Sequence, residues 1–153
     1  MRQGFVKAAV ATPKIRVADT EYNGQQIRQQ MRESVTKGAK LVVFPELCIT
    51  GYTCQDLFFQ EALHEGVKQG LREILDASAA CPAVTAVVGL PARMGARMFN
   101  CAAVISGGEI RGIVPKSSIP NYNEFYEKRW FASGDDLTRD AFDIGSLLGG
   151  YPK

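Results

Sequence analysis

The sequence is poor in the residues that hold metals and relay protons. It has one histidine, His64, and four cysteines, Cys48, Cys54, Cys81 and Cys101, with no C-x-x-C pair among them. That excludes the usual zinc frameworks, and no metal site is expected. The cysteines read instead as small buried apolar residues in a reducing compartment. His64, on a predicted helix and far from any paired acid, reads as a helix-face or surface residue rather than a catalytic one. A long apolar run is also missing, and Arg2 and Lys7 place charge in the first ten residues. Neither a signal peptide nor a membrane span is visible, and a cytoplasmic location is expected. Charge of one sign is lacking too. The 18 basic and 16 acidic residues leave a formal +2 with no basic stripe, which argues against nucleic acid as a partner. No G-x-G-x-x-G follows a strand and no G-x-x-x-x-G-K-[ST] occurs, so these residues encode no cradle for a dinucleotide or a triphosphate.

What is present is the composition of a soluble globular domain: 153 residues, 46% hydrophobic and 22% charged, enough for one core and too few for two ordinary domains. Phe5–Ala11 suits a buried strand. From Asn23 to Lys37, Ile27, Met31 and Val35 recur at helical spacing, and Gly38 follows where a helix end favours it. Leu41–Phe44 reads as a second strand, bounded by Gly38 and Pro45. Leu63, Val67, Leu71, Ile74 and Leu75 mark a second helix over about 60–79. Val84–Leu90, Met98–Ile105 and Ile110–Val114 are strand-like, the last two joined by a tight-hairpin signal at Ser106–Glu109. Strand, helix, strand, helix and hairpin, with no internal repeat, predict an α/β layered fold with a mixed sheet.

In such sheets ligands bind beyond the carboxyl ends of the strands. Glu46 and Lys116 each follow a predicted strand, past Pro45 and Pro115. A carboxylate and an ammonium delivered to one sheet edge suit a general base and an oxyanion stabiliser, but they also suit a structural ion pair, which is the simpler reading from spacing alone.

The segments around these two residues carry more. Phe44–Tyr52 and Pro115–Tyr122 resemble the two signatures of the nitrilase, or carbon–nitrogen hydrolase, superfamily. Thr12–Asp19, Tyr52–Phe58, Asn100–Val104 and Asn121–Arg129 narrow the resemblance to the glutaminase domains of glutamine-dependent NAD synthetases, over roughly 4–145. The resemblance implies an α-β-β-α sandwich, of which about the first half is present. It implies that Glu46 is the general base taking the thiol proton of a cysteine nucleophile, that Lys116 holds the oxyanion, and that Glu127 is a second carboxylate fixing lysine and substrate. It also puts Tyr122 at the glutamine pocket and Tyr52 near its mouth. Without the motifs, Glu127 reads as a salt-bridge partner of Lys128 or Arg129, and the tyrosines as packing residues. The implied partners are glutamine, then deamido-NAD and ATP. The ATP and Mg²⁺ belong to a synthetase domain that these residues do not include, no cofactor is expected in this chain, and the intact protein is expected to be a homo-oligomer. An ω-amidase or carbamoylase branch, or a non-catalytic interaction module, is the alternative.

The family's nucleophilic cysteine lies some tens of residues beyond the lysine motif, and no cysteine follows Lys116 here. Cys48, two residues from Glu46, is the nearest substitute and a poor one, since neighbouring loop side chains need not converge. Ala141–Gly145 reads as the start of a further strand that Ser146–Lys153 does not continue. The expected division is therefore a glutaminase-like 1–145 and an atypical tail 146–153, as a frameshift or early stop would leave. Half a sandwich is expected to keep an unpaired sheet edge and an uncovered apolar face, and hence to aggregate or pair.

Overall fold

Two short runs of small and β-branched residues, β1 (Ala8–Val10) and β2 (Leu41–Val43), begin a sheet in the computed structural model, which describes residues 4–137. The expected strand at Ala141–Gly145 and the 146–153 tail lie outside the described residues. Helix α1 (Thr20–Thr36) joins the two strands. It starts three residues earlier than its apolar spacing suggests because Asp19 caps it, accepting the Tyr22 N–H at 3.0 Å and satisfying a first-turn donor. Gly38, at φ 79°, turns the chain out of the helix. A 3-10 turn (Gln55–Phe59) and helix α2 (Glu61–Ala79) lead from β2 to β3 (Thr85–Met94), β4 (Arg97–Ser106) and β5 (Glu109–Pro115).

The strands lie in the order β1-β2-β3-β4-β5. β1, β2 and β3 are parallel, and β4 and β5 extend the sheet antiparallel. The sheet is mixed, as the element order predicts. Gly107 and Gly108 close the β4–β5 hairpin at φ 62° and 82°, the doubly left-handed turn that matches strand twist. Two strands depart from the sequence reading. The expected buried strand Phe5–Ala11 is only Ala8–Val10, with Phe5 and Val10 80% and 86% exposed because no layer among the described residues covers that face. β3 does not stop at Leu90 but continues through Pro91, opposite Asn100, to Met94. Pro91 offers no ladder donor, yet Leu90 and Ala92 on either side of it are buried, and burial carries the strand onward.

Alternation along the strands sends Val42, Ala86, Val88, Ala103 and Ile105 to one face, where they pack with Ile27 and Met31 of α1 and Val67, Leu71 and Ile74 of α2. The helices approach closely at Gly24 and Gly70, and Arg28 bridges to Glu73 at 2.8 Å. On the other face Val10 and Val114 stand 86% and 60% exposed, and among the described residues no helix or further strand lies over them.

His64 is not on the surface. It is buried on the inner side of α2, and its Nε2 donates to the Phe58 carbonyl at 2.7 Å. Burial lowers its proton affinity more than that hydrogen bond raises it. The folded chain therefore resists a proton that the unfolded chain accepts. Stability from this residue is full above about pH 6.5, the ordinary histidine value, and is lost as pH falls below it. Urea midpoints measured between pH 7.5 and 5.5 are expected to fall with pH, with a shallower slope in His64→Gln.

Candidate functional site

The Glu46 loop is shaped by β3. Phe44 N–H donates to the Val87 carbonyl at 2.9 Å and Ile49 N–H to the Gly89 carbonyl at 3.3 Å, so the chain leaving β2 is folded back over Gly89. A Cβ on Gly89 would lie 2.4 Å from the Pro45 carbonyl oxygen and 2.5 Å from the Leu47 nitrogen, so only glycine lets the loop settle there. Leu47 takes φ 50°, a left-handed conformation costly for a leucine and tolerated because its side chain is fully buried. Asn23 fixes the far side of the loop. It is buried on α1, donates to the Arg16 and Ile49 carbonyls at 2.7 and 3.0 Å, and accepts the Arg16 N–H at 2.8 Å.

β5 runs in the same direction as β2, so Lys116 leaves the sheet at the same end as Glu46. Its backbone is held on both sides, N–H to the Asn100 carbonyl at 2.8 Å and carbonyl to Gly134 N–H at 2.9 Å. The ammonium lies between two carboxylates: 2.8 Å from Glu46 Oε1, and 3.2 and 3.0 Å from Glu127 Oε1 and Oε2. Glu127 is buried, and the Tyr52 hydroxyl donates to its Oε1 at 2.6 Å. Asn100, also buried, donates from Nδ2 to Glu46 Oε1.

These contacts set the charge states. Burial alone would lower the proton affinity of Lys116, but the hydrogen bonds and charges of Glu46 and Glu127 outweigh it and hold the ammonium above the usual lysine range. Burial, then the bond to Glu127 and the charges of Glu127 and Glu46, push the Tyr52 phenol upward, so it stays a donor. The result is a fixed cation, a carboxylate with one oxygen engaged, and a groove of about 340 Å³ beside them, lined by Gly89, Ala102 and Val114 and open on the uncovered face. That arrangement can accept a proton at Glu46 and stabilise an anion at Lys116. Among the described residues, no three histidine, cysteine, aspartate or glutamate side chains gather as a metal site would require.

Of the residues singled out in the sequence, Glu46, Lys116, Glu127 and Tyr52 meet in one network. Tyr122 is exposed and packs edge-on against Phe125, with ring centres 5.9 Å apart. Glu127 pairs with Lys116 rather than with its chain neighbours. Arg129 instead makes a two-point bond to Asp56 at 2.7 and 2.6 Å, which Trp130 Nε1 joins at 3.0 Å. Cys48 is directed away from the ions: its Sγ faces the Gly89 carbonyl at 3.5 Å, and burial pushes the thiol up to about 12, so it makes no thiolate. Cys101 is pushed to about 12 by the same cause, and Cys54 is raised as well. Three residues that sequence reasoning gave no role, Asn23, Gly89 and Asn100, position the network. Asn100 left a readable sign, a carboxamide inside the apolar run Met98–Ile105. Such a group costs about 1–3 kcal/mol when buried without a partner.

With this geometry in hand, comparison with known proteins is specific. The carbon-nitrogen hydrolase family profile matches residues 7–148. The glutamine-dependent NAD(+) synthetase of Mycobacterium leprae is 38% identical over 145 residues, covering 95% of this chain and 21% of the relative. The crystal structure of the glutamine-dependent NAD(+) synthetase from Cytophaga hutchinsonii superposes with a TM-score of 0.75 at 29% identity, over 84% of this chain and 22% of that one. An amidase from Nesterenkonia sp. shares the fold, with a TM-score of 0.72 at 22% identity, over 88% of this chain and 50% of the amidase. The chain thus spans about a fifth of the length of the curated relatives it matches.

The loop geometry yields a direct test. Gly89→Ala puts a methyl group against main-chain atoms that cannot rotate away. It is expected to destabilise the chain by about 1–3 kcal/mol, the range for overpacking a close contact. Denaturant unfolding measures the loss, and an unchanged midpoint would show that the loop is not seated on β3.

Proposed function

The chain belongs to the carbon–nitrogen hydrolase family, and from that premise we propose that Glu46, Lys116 and Glu127 form the proton-transfer and oxyanion half of a glutamine amidohydrolase site. The attacking thiol comes from residues outside 1–153. The observation that carries the reading is the Lys116 ammonium held jointly by Glu46 and Glu127. Glutamine rather than another amide is favoured by the 38% identity to a glutamine-dependent NAD(+) synthetase over 95% of this chain. A thiol nucleophile is favoured by the active-site cysteine of that amidase.

In this mechanism the thiol gives its proton to Glu46, and the resulting sulfur attacks the carboxamide carbon of glutamine. Negative charge develops on the amide oxygen, where the Lys116 ammonium lowers its energy. Glu127 keeps the ammonium in place and, being buried, holds it charged. Glu46 then returns the proton to the departing nitrogen, which leaves as ammonia, and a glutamyl thioester remains. Water, deprotonated by Glu46, attacks the thioester carbon, the C–S bond breaks to release glutamate, and Glu46 returns the proton to the departing thiolate. In this reading Tyr122 belongs to the glutamine pocket, and Tyr52, bonded to Glu127, lies near its mouth. The ammonia passes to deamido-NAD activated by ATP in a synthetase domain outside these residues. A non-catalytic module is the competing reading, favoured by the burial of Cys48, Cys54 and Cys101.

The readings separate in a chimera in which this chain replaces the matching segment of the Mycobacterium leprae relative. Ammonia release from glutamine is expected, and Glu46→Gln is expected to lower kcat by at least about 100-fold, as loss of a general base does. A folded chimera that binds glutamine and releases no ammonia would sink the catalytic reading.

A further inference from the structure

We infer that Asn100 is a positioning residue that sets the Glu46 carboxylate and the Lys116 ammonium relative to each other. The inference rests on the reading of Glu46 as the proton acceptor. Asn100 lies in the middle of β4, 3% exposed, among apolar neighbours. Its two polar ends go to the two working residues: the side-chain Nδ2 donates to Glu46 Oε1, and the backbone carbonyl accepts the Lys116 N–H at 2.8 Å. The Glu46 side chain is 42% exposed and enters from a loop. By itself it would sample several rotamers, and a rigid strand residue removes that freedom.

The choice of atom matters as much as the contact. Asn100 Nδ2 and Lys116 Nζ both bond to Oε1 of Glu46. Neither engages Oε2, which is therefore the oxygen presented to an arriving proton. A carboxamide suits this task because it donates without charge. A second cation in place of Asn100 would compete with Lys116 for the carboxylate, and an apolar residue would leave the carboxylate free to rotate. Asn100 thus acts through Glu46 and Lys116, without itself touching the reacting atoms.

The test uses the chimera described above and the chain itself. Asn100→Leu keeps the branched shape and removes the donor while adding bulk, and Asn100→Ala removes it without adding bulk. In the chimera either variant is expected to lower kcat about 10- to 100-fold, with KM changed less than about 3-fold, the pattern of lost alignment rather than lost binding. Added to Glu46→Ala, Asn100→Leu is expected to cost nothing further. A wild-type kcat in Asn100→Leu, or the same fold-loss in the Glu46→Ala background, overturns the inference. Full turnover in Glu46→Ala overturns instead the reading of Glu46 on which it rests. In the chain itself, with no turnover needed, the urea-midpoint shifts of Asn100→Leu and Glu46→Ala are expected to be non-additive. Additive shifts would overturn the inference whatever the chimera does.

Discussion

A single ammonium group ties the edge of the sheet to the two segments that flank it. Lys116 Nζ is bonded to Glu46, which arrives on the loop after β2, and to Glu127, which arrives on a 3-10 turn beyond β5. Remove that cation and two carboxylates face each other across a few ångströms, one of them buried. Their mutual repulsion and the cost of burying an unpaired charge would push the segments apart. Much of the surrounding structure serves to deliver this one contact: the sheet that ends β2 and β5 at the same edge, the folded-back Glu46 loop, and the Arg129–Asp56 pair that holds Glu127's turn to the 55–59 segment.

The strand direction explains why Glu46 and Lys116 were legible in the sequence. Both follow short β-branched runs through a proline, and two parallel strands release their next residues at the same edge. Glu127 could not be read that way. It sits in irregular chain, and only the resemblance of Asn121–Arg129 to a known motif singled it out. The bland alternative, a local pair with Lys128 or Arg129, was equally compatible with the sequence, and the structure gives Arg129 to Asp56 instead. Most element boundaries followed from periodicity, with three exceptions: Asp19 extends α1 backward, Pro91 fails to end β3, and the apolar run Phe5–Ala11 keeps only Ala8–Val10 as strand and is largely exposed. His64 was misplaced although the helical pattern held the answer, since it shares the apolar face of Val67 and Leu71 on α2 and is buried there.

The residues that were not legible act through main-chain geometry. Gly89 is one glycine inside a strand-like run, and nothing local reveals that three backbone atoms of another segment crowd over it. Asn23 reads as an ordinary polar helix residue, yet it ties the Arg16 and Ile49 backbones together from a fully buried position. Both depend on contacts between segments distant in sequence, which composition and periodicity do not encode. The cysteines, by contrast, were read correctly as apolar filling: three are buried and the fourth half-buried.

The uncovered sheet face changes meaning once the site is placed on it. Gly89, Ala102 and Val114 lie on that face, and the groove they line runs up to Glu46 and Lys116. A layer laid over Val10 and Val114 would also cover the ion cluster and shut water out of the groove. Burial of that apolar face and a fall in local dielectric around the Lys116 ammonium would then be the same physical event. The electrostatic strength of the cluster is thus not a fixed property of its three charged side chains but a quantity set by how the neighbouring sheet face is packed.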